Sequence, residues 1–482
     1  MRTFVIAMSL LLLTSAGILG VCASNQSPST QQELAGVWVG ILEVSGIKLR
    51  LVLKIAQDSS GALTAKMDVP DQAASDLPID SINSQGENFR FAAAKLGLSY
   101  EGTWNNDASE ISGRLTQGPA VYPVTFKRAD KVPTLGRPQD PKKPYPYTEE
   151  EVAYENKTDG VKLTGTLTLP RTKGPFPAAL LITGSGAQDR NETIAGHRPF
   201  LVLADHLTQL GIAVLRVDDR GIGGSSAGPP TATSENYAED VLAGVEFLKH
   251  RKEINPAQIG LIGHSEGGMI APMVAARSKD VSFIVLMAGP GLPGDETIQL
   301  QTGLLLRAQG ASDEGVKLTL DLFAGVFAIL KNKDDKVTAE KQIREMLATK
   351  TAAMTEVERK GMAQMLKTID TQLQQFYLTE WFRFFLRYDP RPTLKKVQIP
   401  VLALNGEKDL QVGYKENLAG IETALKEGGN KDYAIVHLPG MNHLFQNSKT
   451  GLTTEYGEID ETISPLALKT MSDWILKHTV LR

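Results

Sequence analysis

Residues 259–269 read Ile-Gly-Leu-Ile-Gly-His-Ser-Glu-Gly-Gly-Met, and this stretch decides the fold of the chain. Its first four residues are typical of a buried strand, and residues 269–277 have the composition of a helix. Between them, Ser265 has a glycine two positions before it and another two positions after it, so no side chain crowds a tight turn. This context predicts a serine held in a strained backbone conformation with its hydroxyl exposed, as a nucleophile requires.

The residues on either side of this turn alternate between short apolar runs and helical segments. Strands are predicted at residues 179–182, 212–217, 259–262, 283–287, 401–404 and 433–436. Helical patterns, such as the one at residues 238–250, separate them. The alternation predicts a domain of the α/β class over residues 149–482, with a mostly parallel central sheet and helices on both faces.

Three segments do not follow this alternation. Residues 24–131 contain near-alternating apolar residues separated by turn residues, which predicts an N-terminal antiparallel β domain, either a barrel or a sandwich. Its aromatic residues should be core side chains: Trp38, Tyr100, Trp104 and Phe126.

Residues 132–148 are rich in proline and predict a linker. Residues from about 294 to 389 show only helical patterns, which predicts an inserted cap over the carboxyl edge of the sheet.

A serine hydroxyl needs a general base, which should follow it in the order serine, acid, histidine. Four of the seven histidines precede the serine: His197, His206, His250 and His264. Of the other three, His437 lies on the last predicted strand and His478 lies near the C-terminus. His443 lies in a loop just beyond that strand, where an imidazole can reach over the sheet edge, and it is the predicted base.

The acid that orients this histidine should follow the preceding strand. Residues 401–404 run into Asn-Gly-Glu-Lys-Asp, which places Asp409 in a turn 34 residues before His443. Asp409 is therefore the predicted acid. Glu407 in the same turn and Asp295 after an earlier strand are the alternatives.

The tetrahedral intermediate of acyl transfer needs two N–H donors for its oxyanion. The first donor is the backbone N–H of Glu266, which follows the serine. The second should come from the Gly-rich loop after residues 179–182, where Ser185 is the predicted donor and Gly186 the alternative.

Composition excludes several other classes of function. The net charge is −4 and the chain has no basic block, which disfavours a nucleic-acid partner. The Gly-Ile-Gly-Gly stretch at 221–224 lacks the third glycine of a dinucleotide fingerprint, and no phosphate loop is present. The histidine and glutamate spacings gather no metal ligands, so neither a cofactor nor a metal is expected.

The N-terminus has the pattern of a secretory signal. Arg2 precedes an apolar run that ends in small residues at 21–23, so we expect a signal peptide over residues 1–23 and an exported, periplasmic or secreted, protein with no membrane span after processing. The run is interrupted and too short to span a bilayer. Lipid attachment at Cys22, the only cysteine, is the alternative, although Val21 before it does not fit that signal.

The motifs together resemble those of bacterial α/β-hydrolase-fold serine esterases, and in particular the EstD-like carboxylesterase family. The residues that carry the resemblance are 263–267, the loop 184–190, the stretch 218–223, Asp409 and His443. One position departs from many related hydrolases, because Thr183 stands where they have the histidine of a His-Gly pair. The second oxyanion donor is therefore assigned by position alone.

The resemblance implies the α/β-hydrolase fold and hydrolysis of short-chain acyl esters of small molecules. A more distant similarity to serine peptidases of the same fold keeps peptide substrates open as an alternative. A third possibility is an envelope ligand-binding protein in which the hydrolase domain is secondary. The oligomeric state does not follow from the sequence.

Overall fold

The computed structural model describes residues 34–44, 47–58, 61–70, 74–105, 109–117, 120–130 and 137–479. The predicted signal peptide with Cys22, residues 24–33 of the predicted β domain, and residues 132–136 of the predicted linker lie outside the described residues. In the part of the chain that is described, no helix is both long and apolar enough to cross a membrane.

An antiparallel sheet of nine described strands forms the N-terminal part. The strands are β1 Gly36–Val44, β2 Ile47–Gln57, β3 Leu63–Val69, β4 Ala74–Pro78, β5 Ser81–Gln85, β6 Asn88–Ala93, β7 Leu98–Trp104, β8 Glu110–Gln117 and β9 Ala120–Ala129. Their order in the sheet is β4-β3-β2-β1-β9-β8-β7-β6-β5. The antiparallel arrangement agrees with the prediction from the alternating apolar residues.

Aromatic side chains fill the core of this sheet. Trp38, Tyr100 and Phe126 are fully buried, and the rings of Tyr100 and Phe126 pack edge to face with centroids 5.2 Å apart. The Tyr100 hydroxyl can donate its hydrogen to the carbonyl oxygen of either Ile111 or Val124, each of which lies 3.0 Å away. A buried hydroxyl needs such a partner, so the expectation that these aromatics are core residues is confirmed.

The second sheet has eight described strands. They are β10 Thr148–Asn156, β11 Val161–Leu169, β12 Phe176–Ile182, β13 Ala213–Val217, β14 Ile254–His264, β15 Phe283–Met287, β16 Val401–Gly406 and β17 Tyr433–Leu438. The order is β10-β11-β13-β12-β14-β15-β16-β17. The strands from β12 to β17 coincide with the six predicted strands and pair in parallel.

The sheet is mixed, because β10 and β11 form an antiparallel edge that the sequence did not predict. β10 pairs with β11, and β11 pairs with β13, both antiparallel. β10 carries three consecutive glutamates on a sheet edge where one face is open to solvent, so it lacks the apolar run by which the other strands were found.

The described residues form eleven α-helices, some packed on this sheet and others in the segment between β15 and β16. They are α1 Pro199–Gln209, α2 Ser234–Lys249, α3 Glu266–Ala275, α4 Gly294–Ala308, α5 Asp313–Asn332, α6 Lys336–Ala353, α7 Glu356–Gln372, α8 Glu380–Arg387, α9 Arg391–Leu394, α10 Tyr414–Glu427 and α11 Pro465–His478. Apolar residues of α2, α3 and α10 pack on one face of the sheet. Those of α1 and α11 pack on the other, so helices cover both faces as predicted.

The helices α4 to α8 lie between β15 and β16 in the chain. Their apolar side chains form a separate core that includes Phe327, Ile343 and Phe382, each at most 2% exposed. No strand occurs among the residues described in this segment, which corresponds in position to the predicted cap. Because β15 and β16 pair in parallel, the segment leaves the sheet at the carboxyl end of β15.

Candidate active site

Ser265 lies at the turn between β14 and α3. Its backbone has φ 54° and ψ −117°, a conformation that a residue with a side chain adopts only at a cost. The Ser265 N–H donates to the Met287 carbonyl oxygen at 2.8 Å, which fixes the turn against the end of β15. The residue is partly exposed, so its hydroxyl is accessible at the carboxyl edge of the sheet.

The two glycines of the turn allow very close backbone packing. A Cβ on Gly263 would lie 2.0 Å from the Gly267 carbonyl oxygen, and a Cβ on Gly267 would lie 2.2 Å from the Ile182 carbonyl oxygen. Both distances are far below van der Waals contact. The turn therefore requires glycine at both positions, which is the physical reason for the sequence pattern from which it was predicted.

His443 and Asp409 are brought together beyond the ends of β17 and β16. The His443 Nδ1 lies 2.8 Å from the Asp409 Oδ2, and both side chains are buried. The other carboxylate oxygen of Asp409 accepts from the backbone N–H groups of Gln411 and Val412, both at 2.8 Å. The carboxylate is thus fixed by two backbone donors with its second oxygen turned to the imidazole.

The alternative acids contact other partners. Glu407 is exposed and accepts from the Gly440 N–H at 3.2 Å. Asp295 lies at the start of α4 and forms an ion pair with Lys331 at 2.7 Å. Of the three carboxylates that the sequence offered, Asp409 is the one that His443 contacts in the structure.

The Gly-rich loop after β12 lies directly against the serine. A Cβ on Gly184 would lie 3.2 Å from the Ser265 Cβ. The Thr183 hydroxyl donates to Asp219 at 2.8 Å, and the Gln188 N–H donates to the same carboxylate at 2.8 Å. Burial raises the pKa of Asp219 well above its usual range, against the effect of these hydrogen bonds. The position of the loop suits an oxyanion site.

The Gly184 N–H donates to the buried Glu192 carboxylate at 2.8 Å, so it is already occupied within the protein. Ser185 and Gly186, the next two residues, are the remaining candidates in this loop for the second oxyanion donor. The Thr183 hydroxyl points away from this site, toward Asp219.

The stretches 184–190 and 218–223, which carried the family resemblance, hold each other in place. Arg190 forms a two-pronged pair with Asp218, with Nε 3.1 Å from Oδ1 and Nη2 2.7 Å from Oδ2. The Arg190 N–H also donates to Asp218 at 2.9 Å. This paired guanidinium and carboxylate therefore fix the Gly-rich loop against the stretch 218–223 in orientation as well as position.

His264, which received no role from the sequence, connects three parts of this site. Its Nδ1 lies 2.9 Å from the Glu192 Oε1, and its Nε2 lies 3.0 Å from the His443 carbonyl oxygen. The rings of His264 and His443 have centroids 4.7 Å apart. Burial acts to lower the pKa of His264, but the Glu192 carboxylate and the His443 carbonyl raise it overall. The adjacency to Ser265 was the only sequence signal for this residue.

The Glu266 side chain links the serine turn to the cap. Its carboxylate is buried and its Oε1 accepts from the Ser234 hydroxyl at 2.5 Å and from the Trp381 indole N–H at 2.8 Å. Burial raises the pKa of Glu266, while these hydrogen bonds oppose the rise. Trp381 lies on α8, so one residue supplies both the predicted oxyanion N–H and a contact to the cap.

Two cavities differ in their relation to the serine. A cavity of about 80 Å³ lies behind the oxyanion loop and is lined in part by Gly184, Gly186 and Glu266. A larger groove of about 720 Å³ is lined by residues of α6 and α7 in the helical segment and contains none of the predicted site residues. Among the described residues, no group of histidine, cysteine, aspartate and glutamate side chains could hold a metal ion.

The model of the X-Pro dipeptidyl-peptidase (S15) family matches residues 159–437 of this chain. The chain belongs to this family. The matched residues make up more than half of the chain, and they include the serine turn and Asp409 but end before His443. Membership of the S15 family makes the chain a hydrolase.

Esterase EstD from Thermotoga maritima is 29% identical over 367 residues, which are 73% of this chain and 76% of that protein. This similarity confirms the resemblance to EstD-like esterases that the motifs indicated. The putative hydrolase YtaP from Bacillus subtilis is 31% identical over 134 residues, 24% of this chain and 44% of that protein.

Among solved structures, the alpha/beta hydrolase GrgF from Penicillium sp. sh18 has a TM-score of 0.42 and 17% identity, and the alignment covers 69% of this chain and 99% of that one.

Proposed function

We propose that this S15-family chain is an exported serine carboxylesterase that cleaves short-chain acyl esters of small molecules through an acyl-enzyme on Ser265. Three features support the proposal: the strained, accessible serine, the contact between His443 and Asp409, and the similarity to an esterase over most of the chain. Export is proposed from the pattern of residues 1–23 alone.

In the proposed reaction, His443 accepts the Ser265 hydroxyl proton as the serine oxygen attacks the ester carbonyl carbon. The bond from that carbon to the alcohol oxygen then breaks, and His443 gives its proton to the leaving alcohol. A water molecule attacks the acyl-enzyme in the same way and releases the acid. Asp409 orients the imidazole throughout, and the N–H groups of Glu266 and Ser185, or Gly186 in place of Ser185, stabilise the oxyanion.

The observation that carries the proposal is the 2.8 Å contact between the His443 Nδ1 and the Asp409 Oδ2. With Nδ1–H donated to a carboxylate, the imidazole carries its lone pair on Nε2, which is the tautomer that a general base needs. The contact joins two loops that follow neighbouring parallel strands, at the edge of the sheet where Ser265 is exposed.

A peptidase of the same fold is the second candidate, because the matched family is described by its X-Pro dipeptidyl-peptidases. Such an enzyme would need an anionic group to bind the amino terminus of a peptide. The carboxylates beside the serine turn already accept hydrogen bonds within the protein: Glu192 from Gly184, Asp219 from Thr183, and Glu266 from Trp381. Glu192 and Glu266 are also at most 2% exposed, which leaves them little surface for a peptide amino group and favours the esterase.

A direct comparison of substrates tests this choice. We expect the purified protein to hydrolyse nitrophenyl acetate and butyrate, and to turn over an X-Pro nitroanilide at least 100-fold more slowly in kcat/KM, a gap of about 2.7 kcal/mol in transition-state stabilisation. Faster hydrolysis of the anilide than of both esters would overturn the esterase proposal in favour of the peptidase.

Acyl-chain selectivity should depend on the contact between Glu266 and Trp381. The Trp381 indole on α8 donates to Glu266, the residue that follows Ser265, so this contact holds α8 close to the serine turn. Replacing Trp381 by phenylalanine keeps an aromatic ring but removes the N–H that fixes it. We expect kcat/KM for nitrophenyl octanoate relative to the acetate to rise about 5-fold or more, because α8 is less tightly held over the serine turn.

Trp474→Phe is the matched control for this variant. Trp474 lies on α11, where its ring packs against Phe283 and His478 on the far side of the sheet core. The Trp474→Phe variant should leave the ratio of kcat/KM for nitrophenyl octanoate to kcat/KM for the acetate unchanged. An unchanged ratio in Trp381→Phe as well would show that this cap contact does not control chain length.

A further inference from the structure

The two ring nitrogens of the buried His264 both face acceptor atoms. The Nε2 lies 3.0 Å from the His443 carbonyl oxygen, which can only accept, so this nitrogen carries a hydrogen. The Nδ1 lies 2.9 Å from the Glu192 Oε1, which already accepts from the Gly184 N–H. A neutral His264 beside an ionised Glu192 would therefore bring a lone pair against a carboxylate oxygen.

To form both hydrogen bonds, Glu192 and His264 must share one proton more than an ionised carboxylate and a neutral imidazole carry. It can reside on the imidazole, giving an ion pair, or on the carboxyl group, giving two neutral partners. The ion pair has the better geometry, because a carboxylate accepts from both the Gly184 N–H and the imidazolium, while the imidazolium donates to two acceptors. Contact with the Glu192 carboxylate also raises the pKa of His264.

We propose that Glu192 and His264 form a buried ion pair that positions His443 for catalysis. The inference rests on the proposed role of His443 as general base. Glu192 and His264 do not touch the reacting atoms and are positioning residues. The pair connects three segments of the proposed site. Glu192 contacts the Gly-rich loop at Gly184, and His264 lies in the serine turn and contacts the His443 carbonyl group.

A second observation points to the same pair. Glu192 has φ 53°, a left-handed conformation that non-glycine residues adopt at a cost, and it is 1% exposed. Strain of this kind persists where surrounding contacts require it and is concentrated at functional sites. The conformation places the carboxylate between Gly184 and His264, where both contacts form.

His197 shows how a buried neutral histidine in this protein can form hydrogen bonds at both ring nitrogens. Its Nε2 lies 2.8 Å from the Tyr456 carbonyl oxygen, and its Nδ1 lies 3.0 Å from the Thr462 hydroxyl, which can donate. Burial lowers the pKa of His197 to about 4. The two histidines are both buried, so the difference in their partners makes His197 the internal reference for His264.

The electrostatic effect on His443 follows from the order of the charges. Glu192 lies on one side of His264, and His443 with Asp409 lies on the other. Asp219 is a further titratable group near Glu192, and Tyr456 lies near Asp409. The positive end of the pair thus faces the His443 ring at 4.7 Å between centroids. A second positive charge this close to a charged His264 ring is disfavoured.

Nitrogen NMR of the histidine rings in the wild-type protein tests the charge directly. At pH 8 we expect both His264 nitrogens to show the shifts of a protonated imidazolium, while His197 shows those of a neutral ring. Assignment uses His264→Gln and His197→Gln samples. A neutral His264 at pH 8 would overturn the ion pair, whatever the activity of the protein.

Glu192→Gln tests the positioning role because it removes the carboxylate charge with little change of size. The Oε1 atom of Glu192 faces both the Gly184 N–H and the His264 Nδ1, so an amide oxygen there keeps the Gly184 bond without the charge that stabilises a protonated His264. We expect the acid limb of the kcat/KM profile to shift to higher pH by about one unit. On that limb kcat/KM should be about 10-fold lower than in the wild type, and above pH 8 most of the wild-type value should be regained. A uniform loss at every pH would mean a purely structural contact and would contradict the proposal.

Glu246→Gln, an exposed change on α2, is the matched control and should leave the pH profile unaltered. Labelling of Ser265 by a fluorophosphonate separates this inference from the proposed function. If Ser265 is labelled but His264 is neutral, the ion pair is rejected and the serine mechanism stands. Protein that resists labelling rejects the serine mechanism, while the NMR result still reports on the pair.

Discussion

Replacing Ser265 by alanine is expected to lower kcat for nitrophenyl acetate by about 10⁴-fold or more. Without the hydroxyl no acyl-enzyme can form, and the base and oxyanion donors can only assist direct attack by water. The side chain is partly exposed and its backbone N–H keeps the bond to Met287, so the fold should be retained. Initial rates and mass spectrometry of the phosphonate-treated protein measure the effect.

Ser112→Ala is a suitable control for this experiment. Ser112 lies on β8 of the N-terminal sheet, where its hydroxyl donates to Glu110 at 2.8 Å. This variant should retain full turnover and a single phosphonate adduct. Full turnover by Ser265→Ala as well, with no change in labelling, would remove Ser265 from the mechanism.

The second large effect is expected for Asp409→Asn, with a loss of about 10⁴-fold in kcat. The asparagine oxygen can keep the two backbone bonds from Gln411 and Val412, which leaves its NH₂ group facing the His443 Nδ1. Two donors cannot face each other, so His443 must turn to the tautomer with hydrogen on Nε2. That tautomer cannot accept the serine proton.

Glu407→Gln and Asp295→Asn provide the comparison for the acid. Both remove one carboxylate charge, and in the structure these residues contact Gly440 and Lys331 rather than His443. Both variants should stay within about 3-fold of the wild-type kcat. If Asp409→Asn remained active while one of these lost turnover, the acid would be reassigned to that residue. Thermal unfolding of all three variants checks that the fold is intact.

The strands that were found from sequence are the apolar runs of the parallel part of the sheet, most of them fully buried. β12 to β17 are apolar runs of the parallel part of the sheet, and such runs stand out against the helices between them. The antiparallel edge was missed because β10 and β11 have a different pattern. Thr148–Asn156 is dominated by charged residues that face solvent, and Val161–Leu169 alternates with threonine, so neither forms a continuous apolar run.

The candidate site could be predicted to the extent that chain order and local sequence determine it. The turn around Ser265 needs glycines at fixed spacing for steric reasons that are entirely local. His443 and Asp409 follow neighbouring strands, so their order in the chain brings them to one edge of the sheet. These three residues can therefore be identified as candidates from a single sequence.

The sequence by itself determined the strand, turn and helix around the serine, the alternation that builds the sheet, and the order of the candidate residues. Only the tertiary structure decided what surrounds them. His264 contacts the carbonyl of a residue 179 positions away, and Glu266 contacts an indole 115 positions away. Such pairs follow no local periodicity, because their partners meet only when separate elements pack, and the pKa of His264 depends on its burial and on those partners.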